Sequence, residues 1–201
     1  MSIKNAVIYV PGEEIHLSSA NLKIDERTLL EIIRARLESH FDKVYIIAPD
    51  TLAEKYNFNF AIENKAEGLG IISAVYSALT HIDAPGIFIT TCLLPFISDG
   101  FIEFMKTKQG NLLVSSGKKI CYQTGIFSKS ILPLLNLIVE DNIKAMNLYR
   151  RKKEFTFHFE NFIDRITADI IDIDYEKFYF RDLLFEIKTV ADFDFVRQNL
   201  F

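Results

Sequence analysis

AVIYVPGEEIHL, residues 6–17, decides how the rest of the chain is read. Residues 6–10 form an unbroken apolar run that stops at Pro11-Gly12. A run without polar alternation suits a central parallel strand covered by helices on both faces. In open α/β sheets the ligand lies beyond the carboxyl ends of such strands. The loop over residues 11–25 is therefore the first candidate for function. It carries Glu13 and Glu14 side by side, an acidic pair that opposes the cradling of a phosphate.

Outward from that strand, residues 27–39 predict a helix. Leu29, Leu30, Ile32, Ile33 and Leu37 form its apolar stripe, and Arg34, Arg36 and Glu38 face out. Residues 43–48 predict a second strand and residues 51–56 a short helix. Phe58, Phe60 and Ile62 alternate with Asn59 and Ala61, the pattern of an edge-like third strand. A glycine-punctuated loop over 63–69 leads into a small-residue helix over 70–79. Residues 86–90 form the next buried strand, and 101–108 a helix with Ser98 and Asp99 as candidate caps. Strand and helix alternate throughout this half, which predicts a parallel sheet wound on both sides.

Past Asn111 the pattern changes. Residues 112–115 and 119–122 predict two strands around Ser116-Gly117. Residues 128–139 predict a helix that holds Pro133 near its first turn, and Asp141 caps a further helix reaching Arg150. Phe155, Phe157 and Phe159 alternate as a strand, and residues 165–174 give another. Thr189 and Asp192 form a capping-box-like start to a last helix over 189–199.

With 201 residues the chain suits one domain, residues 1–201, burying roughly 70% of its unfolded surface. A net charge of −4 without a basic run argues against a nucleic-acid binder. No apolar stretch reaches the ~18 residues of a membrane span, and no leader pattern opens the chain, so the expectation is a cytoplasmic protein. Cys92 and Cys121, far apart in sequence, fit a reducing compartment and argue against a disulfide framework or a zinc site. The aromatic residues Phe178, Phe180 and Phe185 suit core packing, with a dimer surface as the lesser reading. The expected state is a monomer or a weak homodimer.

Five segments, in order and spacing, resemble the molybdenum cofactor guanylyltransferases, members of the wider nucleotidyltransferase-like fold. AVIYVPG at residues 6–12 is similar to that family's AVILAGG opening. EGLGIISAVYSAL at 67–79 is similar to its G-x-G-P-L-A-G-I segment, and TCLLPFI at 91–97 to its C-D-x-P-F segment. YQTGIFSKSILPLL at 122–135 resembles its P-x-x-G-L-Y stretch, and EIKTVADF at 186–193 its N-I-N-T-P-E-D-L closing motif. The resemblance implies a Rossmann-like, three-layer α/β/α sandwich with a mostly parallel sheet, similar to the nucleotide-diphospho-sugar transferases. It implies transfer of GMP from GTP to molybdopterin, release of pyrophosphate and help from Mg2+.

Such chemistry needs backbone N–H groups and cations on the triphosphate, and a carboxylate holding magnesium beside the α-phosphate. On the resemblance, Tyr9, Val10, Pro11, Gly12, His16, Asn64, Gly70 and Leu93 occupy the nucleotide-binding positions. Pro11 stands at the first loop glycine and removes an N–H. His16 falls at a phosphate-contacting Arg and helps only when protonated. Asn64 stands at a guanine-recognising Asp and cannot form the charged bidentate pair. Lys23 is the nearest cation for a catalytic role, with a solvated loop lysine as its plainer reading. Leu93 replaces the magnesium-binding Asp, and a leucine cannot ligate a hard cation. Glu186 and Lys188 replace both Asn residues of the closing motif. The metal ligand is thus unassigned, although Asp169, Asp172 and Asp174 offer carboxylates elsewhere. The residues leave three readings open: a weakened guanylyltransferase, a non-catalytic protein binding a ligand or partner on the same fold, or a sugar-nucleotide or other NTP transferase on that fold.

Overall fold

The first strand, β1 (Asn5–Tyr9), lies inside its sheet with a parallel strand on each side. The structure is a computed structural model that describes residues 2–11, 22–48, 61–62, 69–149 and 159–200. Gly12, His16, Asn64 and the expected short helix over 51–56 lie outside those residues, as do Phe58, Phe60, Phe155 and Phe157.

A short hairpin, β2 (Lys23–Ile24) with β3 (Arg27–Thr28), leads into α1 (Leu29–Glu38). Thr28 starts that helix with a capping box. The Glu31 N–H donates to the Thr28 hydroxyl at 3.2 Å, and the Thr28 N–H donates to the Glu31 carboxylate at 2.7 Å. Then come β4 (Lys43–Ile47), β5 (Ala61–Ile62), α2 (Ile71–His81), β6 (Gly86–Thr91) and α3 (Asp99–Lys106). The second half holds β7 (Leu112–Ser116), β8 (Lys119–Ser128), α4 (Leu132–Tyr149), α5 (Phe159–Ile166), β9 (Asp169–Asp172) and α6 (Val190–Asn199).

The main sheet has seven strands in the order β5-β4-β1-β6-β8-β7-β9. Pairing is parallel from β5 through β4 and β1 to β6 and again at β7–β9; β8 runs antiparallel to both its neighbours. Because β-strand side chains alternate, β1 feeds two cores. Ala6 and Ile8 join Leu30, Ile33 and Leu37 of α1 and Phe101 and Met105 of α3 on one face. Val7 and Tyr9 join Ile72, Val75 and Leu79 of α2, Leu135 of α4 and Phe162 of α5 on the other. The result is the three-layer α/β/α sandwich expected, with β1 inside the sheet, third from the β5 edge. Fully buried Phe88 stacks on Phe41 at 5.5 Å and meets the edge of Phe101 at 6.4 Å. Each such side chain contributes about 1.5–3 kcal/mol by burial.

Five local expectations are corrected. Asp141 caps nothing: the helix runs on as α4 from Leu132 to Tyr149, after a single 3-10 turn at Lys129–Ile131. Phe159 is the first residue of α5, not part of a strand, and the strand expected over 165–174 shrinks to β9 because α5 continues to Ile166. β8 continues well past Tyr122, because its pairing with β6 begins only at Gly125. Gly117 and Lys118, at φ 54° and 65°, make the two-residue turn before it, where two left-handed residues match the strand twist. Finally, Arg36 does not simply face out. Its guanidinium donates to the carbonyls of Pro95 at 3.1 Å and Ile97 at 2.5 Å, tying α1 to the loop after β6.

Candidate functional site

Because β4, β1 and β6 run parallel, their carboxyl ends open on one side of the sheet. Tyr9 is buried there against Leu69, Ile71 and Ile72, beside the start of α2. Val10 follows, fully buried on the opposite face, and its N–H donates to the Ile47 carbonyl at 2.8 Å. Pro11 is half-buried. Gly70 precedes α2 with φ 56° and ψ −138°, a conformation that asks for glycine. Its carbonyl accepts the Ser73 N–H at 3.1 Å and the Ser73 hydroxyl at 2.6 Å. The structure thus gathers Tyr9, Val10, Pro11 and Gly70 near one mouth.

Lys23 sits exposed on β2, between Leu22 and Ile24, whose side chains are buried. It helps hold the Glu31 carboxyl below its ordinary value, after the larger effects of the Thr28 N–H and hydroxyl. Leu93 lies two residues past β6 and is 3% exposed. Its side chain shares an apolar cluster with Leu22, Ile24, Leu29, Ile32, Phe96, Ile187 and Val196. Its N–H donates to the Thr91 hydroxyl at 3.3 Å, and its carbonyl accepts the Ile187 N–H at 3.0 Å. Lys23 and Leu93 therefore belong to one corner of the molecule, the lysine on its outside and the leucine within.

A divalent cation such as Mg2+ does not fit position 93. Hard cations take oxygen ligands, and the described side chains that cluster with Leu93 are hydrocarbon. Among the described residues no group of three or more His, Cys, Asp or Glu side chains is placed to hold a metal ion. Asp172 and Asp174 serve the chain locally: Asp174 accepts the Gly117 N–H at 2.8 Å, and its own N–H donates to Asp172 at 3.0 Å. Asp169 opens β9 on the sheet edge.

Three features of the charged and thiol groups were not read from the sequence. Glu186 and Lys188 flank Ile187 and pair with each other at 3.0 Å, so the two charges of the closing motif satisfy one another. Cys121, on β8, senses both, but burial is the larger influence and pushes its thiol up to about 11. At the far end of α1, His40 lies 2.6 Å from Glu103 and 3.1 Å from Asp99. Only the i,i+4 or i,i+3 part of such clusters is visible in a sequence; the His40 pairs cross between helices.

Among the described residues no helix is long and apolar enough to cross a membrane. The sequence profile of the MobA-like NTP transferase domain matches residues 19–155. A Methanothermobacter thermautotrophicus protein described as a probable molybdenum cofactor guanylyltransferase is 27% identical over 102 residues, 47% of this chain and 51% of that protein. The match thus spans about half the length of that curated relative. The molybdopterin-guanine dinucleotide biosynthesis protein A of Archaeoglobus fulgidus superposes with a TM-score of 0.74 at 13% identity, covering 96% of this chain and 97% of that one. The 2-C-methyl-D-erythritol 4-phosphate cytidylyltransferase of Thermus thermophilus gives 0.61 at 14% identity, covering 100% and 99%. At such identities the two structures speak for the fold alone. With a profile match over most of the chain and a sheet of the same architecture, this chain belongs to the family of MobA-like NTP transferase domains.

Proposed function

We propose that the chain is a guanylyltransferase-like protein of molybdenum cofactor biosynthesis, acting as a single domain over residues 1–201 in the cytoplasm. In this reading GTP enters the mouth at the carboxyl ends of β1 and β6, and GMP passes to molybdopterin with release of pyrophosphate. The rate is reduced, because position 93 offers no carboxylate. The observation that carries the reading is the family match over residues 19–155. It is supported by the interior place of β1, whose mouth is where sheets of this kind take ligands. Phosphoryl transfer is mostly positioning and charge neutralisation. Lys23 is the cation proposed for the second task, and Gly70 at the start of α2 for the first.

A second reading is favoured by one observation, the burial of Leu93. Here the protein is not catalytic and keeps the mouth for a less charged ligand or a partner protein. Calorimetric titration with GTP, with and without Mg2+, followed by a pyrophosphate-release assay with molybdopterin, separates the two. Saturable GTP binding and pyrophosphate release support transfer. No heat at millimolar GTP rejects it in favour of the second reading. A thermal-shift panel across the common ribonucleoside triphosphates distinguishes guanylyl transfer from transfer of another nucleotide.

A further inference from the structure

Leu93 is more than a missing ligand. A side chain left behind by a lost metal site would be expected to face the open mouth. This one is 3% exposed and is the meeting point of three separate stretches of chain. It shares one buried cluster with Ile24 of the hairpin, Leu29 and Ile32 of α1, and Ile187 and Val196 of the C-terminal segment. Its two main-chain polar groups are also committed, the N–H to Thr91 and the carbonyl to Ile187. Beside it Phe96 meets the edges of Phe185 at 6.2 Å and Phe195 at 6.1 Å, and those two rings lie 5.0 Å from each other. Both aromatic partners come from residues 185–200. Arg36 holds the other side of the same loop through Pro95 and Ile97.

We propose that Leu93 is a clamp that fastens the C-terminal segment, residues 185–200, onto the loop after β6, and that no divalent cation is held at this position. The position that the family resemblance assigns to magnesium has become a hydrophobic anchor. The segment's own cap, Thr189 with Asp192, keeps α6 in line with that anchor. A carboxylate restored at position 93 therefore does not recreate a metal site. It places a charge in hydrocarbon, where it cannot stay ionised without solvent, and the segment leaves to let water in. The inference deepens the reading above and rests on it only in taking position 93 as the inherited metal position. Its test uses no nucleotide, so it succeeds or fails independently of GTP binding.

The test compares the full chain with Leu93→Met, Leu93→Asp and Val196→Asp. The first readout is tryptic cleavage after Lys188 and Arg197, whose side chains are 69% and 57% exposed but sit in docked chain. The second is calorimetric titration with Mn2+ alone. The native protein and Leu93→Met resist cleavage at both sites. Leu93→Asp and Val196→Asp are cut there about tenfold faster or more, because opening of a local unit sets the rate. Neither the native protein nor Leu93→Asp binds Mn2+ saturably. Val196→Asp acts from the segment's side and keeps the test decisive if Leu93→Asp fails to fold, since its cuts are confined to residues 185–200. Protection of Val196→Asp at both sites overturns the proposal. So does saturable Mn2+ binding by the native protein that Leu93→Met abolishes, or by a protease-resistant Leu93→Asp.

Discussion

Gly125→Ala tests the fold at β8, the antiparallel strand between β6 and β7. Gly125 lies on β8, opposite Ile89 of β6 and Leu113 of β7, where the β7 register shifts between Leu113 and Val114. A Cβ built there would stand 2.7 Å from the Leu112 carbonyl oxygen, 2.9 Å from the Leu113 Cδ2 and 3.3 Å from the Phe127 Cε2. Leu113 and Phe127 are almost wholly buried, so neither moves cheaply. In a strand interior alanine ordinarily gains about 0.5–1 kcal/mol over glycine through the unfolded chain's lost freedom. Overpacking a filled core costs about 1–3 kcal/mol, and here the nearest atom is a backbone carbonyl inside a ladder, which puts the cost at the upper end. The net is a loss of about 2 kcal/mol, or about 4–8 °C in Tm for a chain of this size. Thermal and urea denaturation read it directly. Gly86→Ala is the control: its nearest atoms are the Phe127 carbonyl oxygen at 3.2 Å and the Ile3 Cδ1 at 3.3 Å, so the loss is smaller. A Gly125→Ala protein as stable as the parent, or less harmed than Gly86→Ala, would refute the reasoning.

The Glu31, Glu103 and Asp192 carboxyls lie below their ordinary values, through hydrogen bonds from Thr28, from His40 and from the Lys188 N–H respectively. A folded value below the unfolded one stabilises above the unfolded pKa and is lost as pH falls. Tm should therefore hold down to about pH 5 and drop steadily toward about pH 3, and a flat profile would contradict these contacts. Arg36→Met leaves the Pro95 and Ile97 carbonyls without their donor; urea denaturation should show a loss of about 1–3 kcal/mol. With its thiol pushed up to about 11 by burial, Cys121 should resist iodoacetamide in the native protein at neutral pH and react once the chain is unfolded. Rapid native modification would show that β8 opens at the mouth.

The apolar stripe of α1 was legible residue by residue, because its helical period and its burial in the structure coincide. So was β1 as a central strand, since only a strand covered on both faces tolerates an unbroken apolar run. The failures share a cause. Phe155, Phe157 and Phe159 alternate like a strand, yet Phe159 opens α5, whose Phe162, Ile163 and Ile166 supply the buried face instead. Period-two alternation over three residues is too short to outweigh a helical stripe that begins inside it. Asp141 resembles a cap only if the preceding helix has ended. Nothing ends it, because Ile138 and Val139 continue the buried face of α4 up to that point.

The site shows the same limit more sharply. That a leucine stands after Cys92 is plain in the sequence, and so is its inability to bind a hard cation. What surrounds it is not, because Ile24, Ile187 and Val196 come from distant parts of the chain and carry no local pattern that joins them to Leu93. Read alone, the substitution looks like decay of an active site, and its repair with aspartate looks simple. With its neighbours in place the substitution has a structural use, and the repair is opposed by every contact that use created. A decayed site facing the mouth would leave position 93 as tolerant of aspartate as of methionine. A clamp makes it sensitive to shape and charge, which is why Leu93→Met and Leu93→Asp must separate if the C-terminal segment is held as described.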